Sequence, residues 1–178
     1  MMFLVYVTIV ATLLATLLVF ALRPLAIRLQ LVDKPNPRKA HKGDVPLIGG
    51  PVIWSVVLVG MIAFIPHPPW SAIGAATMLV ILGVVDDRQP IPAIIKLTFH
   101  LSAAALVVMG ESLVVSNIGI FPEAFGSPEL AHLHTALAII AIALAINAFN
   151  MIDGIDGLAA SMALLALIHT SISFNLIL

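Results

Sequence analysis

The chain has 178 residues, of which 61% are hydrophobic and only 10% are charged, and its mean hydropathy is +1.16. Soluble domains carry about 25% charged residues, so this composition excludes an ordinary water-soluble domain and a disordered chain. The net charge of −1 excludes the positive field with which proteins attract nucleic acid. Because the chain has no cysteine, disulfides, zinc–thiolate sites and thiol catalysis are excluded too.

Apolar runs predict about six helices that cross a membrane, most of them near the roughly 20 residues that span a bilayer. The first run contains no charge, follows no basic residue and precedes no signal-cleavage pattern, so we interpret it as a retained span. Prolines end the second run, and a polar stretch separates the fourth from the fifth. The expected fold is an all-α polytopic transmembrane bundle forming one membrane domain, with spans at about 2–22, 47–65, 71–85, 91–109, 131–149 and 158–178.

The basic residues predict how the bundle is oriented. Of the eight Lys and Arg residues, six lie between Arg23 and Gly50, and the other two, Arg88 and Lys96, follow the third span. The turn at 66–70 and the stretch 110–130 contain none. The positive-inside rule therefore places the basic segments in the cytoplasm and the amino terminus outside. Segment 147–157 then lies on the cytoplasmic side as well.

Two adjacent carboxylates, Asp86 and Asp87, directly follow the apolar run of the third span. They repel each other, and ionised groups near hydrocarbon are costly, so a compensating positive charge or a shared proton is expected. Arg88 and Lys96 are the nearest basic residues. The functional interpretation is a magnesium–diphosphate or proton-transfer site. The structural alternative is an acidic pair solvated at a helix end.

A second polar cluster lies between two long apolar runs, at 147–157. Asn147, Asn150 and Asp153 are spaced by three residues, and Asp156 follows. On a continuing helix the first three share a face. Gly154 and Gly157 permit a tight turn and a close approach of a ligand to the backbone. The alternative is a hydrated turn between helices, capped by Asx side chains.

The segment at 33–50 combines proline, glycine and basic residues. Arg38, Lys39, His41 and Lys42 are suited to bind phosphate oxygens, although such a basic segment also suits anionic lipid head groups. Elsewhere, His100 lies inside a predicted span. A lone histidine there usually satisfies an interhelical hydrogen bond and does not bind a ligand.

Together the three motifs resemble those of the polyprenyl-phosphate N-acetylhexosamine-1-phosphate transferases. The motifs read DKPNPRKAHKGDVPLIGG at 33–50, LGVVDD at 82–87 followed by Lys96, and NAFNMIDGIDGLA at 147–159. The resemblance is greatest to members that transfer N-acetylglucosamine 1-phosphate. It implies that the phosphate of undecaprenyl phosphate attacks the β-phosphate of a UDP-N-acetylhexosamine and releases UMP, which initiates lipid-linked synthesis of lipopolysaccharide or cell wall.

The resemblance also implies roles for individual residues. Asp86 and Asp87 are the implied catalytic residues, and Asn150 together with Asp87 forms the implied metal site. The implied substrate-binding residues are Arg38, Lys39, His41, Lys96, Asn147, Asp153, Asp156 and Gly157. Within that set, Lys96 corresponds to a diphosphate-binding lysine, and the last three belong to the loop of the uracil pocket.

The implied cofactor is Mg²⁺, with Mn²⁺ as an alternative. The implied partners are undecaprenyl phosphate, the UDP-sugar and membrane lipids, without nucleic acid, and the implied location is the inner membrane with a cytoplasmic active face. The later acidic and histidine-containing loops of the family do not occur before Leu178. The chain is therefore expected to be truncated, either as a shortened reading frame or as a fragment that a second polypeptide completes. A homodimer and a missing carboxy-terminal half are the alternatives for a protein partner. The alternatives are a non-catalytic membrane module that keeps nucleotide binding, and a small transporter whose acids line an ion path.

Overall fold

A computed structural model of the protein describes residues 2–33, 43–113, 131–152 and 158–177. These ranges contain helices and two very short strands, which are α1 (Met2–Arg28), β1 (Val32–Asp33), β2 (Val45–Pro46), α2 (Gly49–Phe64), α3 (Trp70–Arg88), α4 (Ala93–Gly110), α5 (Ala131–Ile152) and α6 (Leu158–Ile177). By length and composition, α1, α3, α4 and α5 are able to cross a membrane, whereas the apolar parts of α2 and α6 are shorter. The protein is an all-α polytopic membrane protein, which confirms the predicted fold class.

The helices coincide with the six predicted spans but differ from them at the ends. Helix α1 continues to Arg28, because Pro24 lies inside the helix without ending it. Helix α3 continues beyond the apolar run through both aspartates and ends at Arg88, where Gln89 takes an extended backbone and Pro90 follows. That every one of the six helices crosses the membrane stays a prediction.

Two helices end in a residue with a left-handed backbone, Gln30 after α1 and Ser112 after α4, with φ of 56° and 52°. The next residue in the chain, Leu31 or Leu113, donates its backbone N–H to the carbonyl oxygen five residues earlier, at 2.9 Å and 3.0 Å respectively. Such bonds satisfy carbonyls that a helix end leaves unpaired. After α1, β1 pairs antiparallel with β2, and this pairing places residue 33 beside residue 45, just before α2 begins.

Helix α4 lies at the centre of the packing, where it makes the two most extensive helix contacts, with α3 and α5. The buried positions of α3, α4 and α5 are rich in alanine, namely Ala75, Ala103, Ala104, Ala138 and Ala143. Small residues let helix backbones approach closely, as in membrane bundles. Large apolar side chains such as Leu17 and Ile81 are instead exposed, as a surface that faces lipid requires.

Side-chain hydrogen bonds connect α2 with α3 and the start of α3 with the end of α4. Trp54 of α2 donates its indole N–H to Thr77 Oγ1 of α3 at 3.1 Å. At the far end of α4, Ser71 Oγ donates to Glu111, and Gly110 lies directly against Ser71. The short connection 89–92 makes α3 and α4 antiparallel neighbours. The end of α3 therefore lies beside the start of α4.

Candidate active site

Asp86 lies in the last turn of α3, and both oxygens of its carboxylate have donors. Lys96 Nζ donates to Oδ2 at 2.7 Å, and the backbone N–H of Ile91 donates to Oδ1 at 2.8 Å. Pro90 and Pro92 flank Ile91 and restrict the backbone of the connection, which returns the chain so that the first turn of α4 faces the end of α3. The side chains of Asp86 and Lys96 are each 26% exposed. Lys96 thus compensates the charge of one of the two adjacent carboxylates.

A cavity of about 140 Å³ lies beside this ion pair, between α3, α4 and α5. We name it the inner cavity, and its lining is Leu79, Leu82, Gly83, Asp86, Lys96, His100, Ile146 and Asn150. Asn150 lines it from the last turn of α5. The motif at 147–159 therefore meets the motif at 82–87 at this cavity. The end of α3, the start of α4 and the end of α5 therefore form one polar end of the bundle, which we name the site end.

Asp87 faces a second cavity of about 500 Å³, between α3 and the start of α2. We name it the loop cavity, and its lining is Pro46, Leu47, Gly49, Gly50, Pro51, Leu79, Val80, Gly83, Val84 and Asp87. Successive residues of an α-helix point about 100° apart, which directs neighbouring aspartates into different spaces. Both cavities are lined by Leu79 and Gly83. At Gly83 nothing lies within 4 Å of an added Cβ, so this position is open.

A third space is an apolar groove of about 770 Å³ along α3 and α4. Its lining is Gly74, Thr77, Met78, Ile81, Leu82, Val85, Gln89, Pro90, Ile91, Pro92, Ile95 and Phe99. It begins at the connection 89–92 and follows α3 back to Gly74. The amide of Ile91, which lines this groove, donates to Asp86, which lines the inner cavity. The groove therefore starts directly beside the ion pair.

The structure thus groups some of the predicted site residues and not others. Asp86, Lys96 and Asn150 line the inner cavity, and Asp87 lines the adjacent loop cavity. Asn147 lies nearly one turn before Asn150 but does not line either cavity, and its Nδ2 is 3.8 Å from Met151 Sδ. The other predicted substrate-binding residues lie outside the described residues, namely Arg38, Lys39, His41, Asp153, Asp156 and Gly157.

The oxygen donors at the site end are of the kind that magnesium prefers, a carboxylate on Asp87 and a carboxamide on Asn150. Within the described ranges, no three His, Asp or Glu side chains come together as a metal-binding group. Magnesium characteristically binds through one or two protein ligands, with substrate phosphates and waters completing its shell. Asp87 and Asn150 line different cavities, so the structure does not bring them together as one donor set, and each fits that mode of binding as a single protein ligand.

His100 also lines this candidate site, although the sequence interpretation did not include it among the site residues. It is 5% exposed, it lines the inner cavity, and its Nδ1 has no hydrogen-bond partner within the part of the chain that the structure describes. Among the described residues, the expected interhelical hydrogen bond is therefore not made by Nδ1. A usable signal was present, because His100 follows Lys96 by four residues and so shares its helix face.

Comparison with known proteins gives matches along most of the chain. Residues 69–177 match the family model described as Glycosyl transferase family 4. An undecaprenyl-phosphate alpha-N-acetylglucosaminyl 1-phosphate transferase of Escherichia coli (strain K12) is 36% identical over 153 residues, which are 83% of this chain and 41% of that protein. The protein of the same name in Yersinia pestis is 33% identical over 149 residues, covering 81% of this chain and 40% of that protein.

A more distant relative of Bacillus subtilis (strain 168) is described as a probable undecaprenyl-phosphate N-acetylglucosaminyl 1-phosphate transferase. It is 30% identical over 168 residues, covering 92% of this chain and 46% of that protein. The chain thus spans less than half the length of these three relatives. No solved structure matches it.

The family match extends from the start of α3 to the end of α6, which is more than half of the chain. It includes the ion pair of Asp86 and Lys96, the neighbouring Asp87, and Asn150. Together with the relatives, it confirms the resemblance that the three motifs indicated. The chain belongs to glycosyl transferase family 4.

Proposed function

We propose that the protein transfers N-acetylglucosamine 1-phosphate from UDP-N-acetylglucosamine to undecaprenyl phosphate and releases UMP, the step that initiates a lipid-linked glycan of the cell envelope. One observation carries this proposal. The ion pair of Asp86 and Lys96 meets Asn150 in a cavity at one end of apolar helices, and Asp87 opens into the adjacent cavity. The names of the relatives supply the acceptor lipid and the sugar.

In this reaction a phosphate oxygen of the lipid forms a new bond to the β-phosphorus of the nucleotide-sugar, and the bond between that phosphorus and the bridging oxygen breaks. The bridging oxygen and its electron pair leave with UMP. The attacking phosphate is already an anion at neutral pH, so the protein's main task is to hold two anions in line and to neutralise charge that develops. Lys96 supplies positive charge at the site end, and Asp86 fixes the position of that ammonium.

A divalent cation would complete this charge balance, and Mg²⁺ is the proposed ion, with Mn²⁺ as an alternative. When bound, it would neutralise the diphosphate and stabilise the leaving UMP. Within the described chain, Asn150 of the inner cavity or Asp87 of the loop cavity would hold it, because each offers a hard oxygen donor. Their oxygens leave coordination positions for the phosphates of the substrates.

The apolar groove supports a lipid acceptor. It is lined mainly by aliphatic side chains of α3 and α4, and it begins at the connection 89–92, beside Asp86. An isoprenoid chain whose phosphate lies at the site end would find apolar surface there along about 15 residues of α3, or roughly 22 Å at 1.5 Å per residue. The groove thus suits a substrate with a charged head and a long apolar tail.

The proposed location is the inner membrane, with the site end on the cytoplasmic side. Arg28 ends α1, Arg88 ends α3 and Lys96 lies in the first turn of α4, so these basic residues are gathered near the site end. The positive-inside rule assigns such an end to the cytoplasm. UDP-sugars are cytoplasmic metabolites, so this orientation would expose the inner and loop cavities to the donor.

The test is exchange of radiolabelled UMP into UDP-N-acetylglucosamine, measured in membranes of cells that express the protein. Exchange should require undecaprenyl phosphate and Mg²⁺, and Asp87→Asn should abolish it. Glu111→Gln is the matched control, because it also removes a carboxylate charge, but at the opposite end of α4 beside Ser71. Wild-type membranes that carry the protein but catalyse no exchange would contradict the proposed transfer.

A further inference from the structure

The inner cavity contains one polar atom that the proposed reaction does not yet use. His100 lies on α4 one turn after Lys96, is 5% exposed, and has no partner for its Nδ1 in the described ranges. Buried polar side-chain atoms are almost always hydrogen-bonded, because an unsatisfied one keeps the full cost of losing water. An imidazole in this position therefore calls for a partner that enters the cavity.

The size and chemistry of the cavity limit what that partner is. A volume of about 140 Å³ exceeds what one water molecule needs, so several waters or a phosphate group fit. The Asp86 carboxylate is already paired with Lys96 and with the amide of Ile91. The ammonium of Lys96 has three N–H donors and gives one of them to Asp86, and the carboxamide of Asn150 adds further donors. The remaining hydrogen-bonding capacity of the cavity is thus suited to an anionic oxygen.

We propose that His100 is a substrate-binding residue whose Nδ1–H donates to a phosphate oxygen that occupies the inner cavity. This inference rests on the proposed function and adds a residue to it. It requires the neutral tautomer of His100 with the proton on Nδ1. The phosphate belongs either to the nucleotide-sugar or to the lipid acceptor, and kinetics with the two substrates distinguishes these sources.

The test uses three variants of His100 that differ in whether the new side chain donates a hydrogen bond and in where its donor lies. His100→Leu removes the polar atoms. His100→Asn places an amide donor where Nδ1 lies, and His100→Gln places one closer to the position of Nε2. The matched control is His169 of α6, which is exposed and does not line either cavity, changed to Leu and to Asn. The KM for UDP-N-acetylglucosamine, the KM for undecaprenyl phosphate, kcat and the Tm are measured for each variant in membranes or detergent.

His100→Leu is expected to raise the KM of one phosphate substrate on the order of tenfold or more, because a hydrogen bond to a charged oxygen is lost. His100→Asn should recover most of that loss, and His100→Gln less of it. The substrate whose KM changes is the source of the phosphate. The His169 variants should leave both KM values unchanged.

Two results would overturn the inference. In the first, His100→Leu alters the Tm while both KM values and kcat stay within twofold of wild type, which would mean that water alone satisfies Nδ1. In the second, His100→Gln restores the KM as well as His100→Asn does, which would exclude Nδ1 as the donor. If His100→Leu does not fold, the comparison of Asn with Gln decides the question. A wild-type protein without exchange activity would instead contradict the proposed function itself.

Discussion

Asp86 and Asp87 are consecutive in the chain, yet Asp86 lines the inner cavity and Asp87 lines the loop cavity. The carboxylate of Asp86 accepts from Lys96 and from the amide of Ile91, so it fixes the geometry at the start of α4. The two side chains therefore have different surroundings, and Gly83 lies where the two cavities adjoin. Substitutions at Asp86, at Lys96 and at Gly83 are expected to have distinct effects on stability and on substrate binding.

The ion pair of Asp86 and Lys96 is expected to contribute measurably to stability. Asp86→Asn should lower the free energy of unfolding by about 1–2 kcal/mol, because a charge-assisted hydrogen bond is lost while the amide oxygen still accepts from Ile91. The measurement is denaturation of the purified protein in detergent, with Lys96→Met and the double variant completing a cycle. Contacting residues couple by about 0.5–3 kcal/mol, so the two losses should not add. Strict additivity would show that the pair does not stabilise the fold.

Gly83 is expected to admit a methyl group but not a large side chain. An added Cβ meets nothing within 4 Å, so Gly83→Ala should fold and even gain helix stability, about 0.5–1 kcal/mol. Gly83→Leu should fill the junction of the two cavities and raise the KM of at least one substrate about tenfold or more, as kinetics of UMP exchange would measure.

The bulk control is Gly60→Leu on α2, where an added Cβ also meets nothing within 4 Å. Gly60 lines neither the inner nor the loop cavity, so this variant should leave both KM values unchanged. Equal effects of leucine at Gly83 and at Gly60 would mean that the cavities beside α3 do not receive substrate.

The helices of this protein could be predicted because lipid imposes a simple pattern. An apolar run long enough to span a bilayer has to satisfy its own backbone hydrogen bonds, so it forms a helix. The need for a positive partner near Asp86 also followed from electrostatics, and Lys96 was one of two basic residues within reach. The end of α3 was placed too early, since hydropathy stops at Val85 whereas the backbone stays helical until Pro90 approaches.

The separation of Asp86 and Asp87 into two different cavities could not be predicted, because it depends on which helices flank α3. A helical period places Asp86 and Asp87 on different faces, but it does not reveal that α4 and α5 lie beside one face and the start of α2 beside the other. The place of His100 in the inner cavity could not be predicted for a similar reason. That cavity is lined from α3 and α5 as well as from α4, and the pattern of a single helix does not reveal how the three helices pack.

Close packing at the opposite end of α4 predicts a stability effect without a catalytic one. A Cβ at Gly110 would collide with the side chain of Ser71, so Gly110→Ala should destabilise the protein by about 1–3 kcal/mol. Gly74→Ala is the matched control on the same helix pair, since its Cβ would meet Leu106 Cδ2 at an ordinary 3.6 Å. Thermal unfolding in detergent gives both values, and Ser71→Gly in the Gly110→Ala background should restore stability. A Gly110→Ala protein as stable as wild type would contradict this contact.

Asn150 is expected to affect the dependence on magnesium more than the fold. Asn150→Ala removes a hard oxygen donor from the inner cavity, so the Mg²⁺ concentration that gives half-maximal UMP exchange should rise about tenfold. Asn150→Asp keeps the oxygen and should have a smaller effect. The titration is made after chelation with EDTA, which should abolish exchange until Mg²⁺ or Mn²⁺ is added. An Asn150→Ala enzyme with a lower kcat but an unchanged Mg²⁺ requirement would exclude Asn150 as a metal ligand.

The apolar groove predicts where a bulky side chain should interfere with the lipid substrate alone. Ile81 lies in the groove on α3 and is 59% exposed, so Ile81→Trp can fold while occupying space that an isoprenoid chain would use. The KM for undecaprenyl phosphate should rise about five- to tenfold, since lost apolar contact costs about 25 cal/mol per Å², and the KM for UDP-N-acetylglucosamine should not change. Leu165→Trp on α6 is the control, because Leu165 is 61% exposed and does not line the groove. If both tryptophans raise the KM for the lipid equally, the isoprenoid chain does not bind in this groove and general contact with the bilayer accounts for the effect.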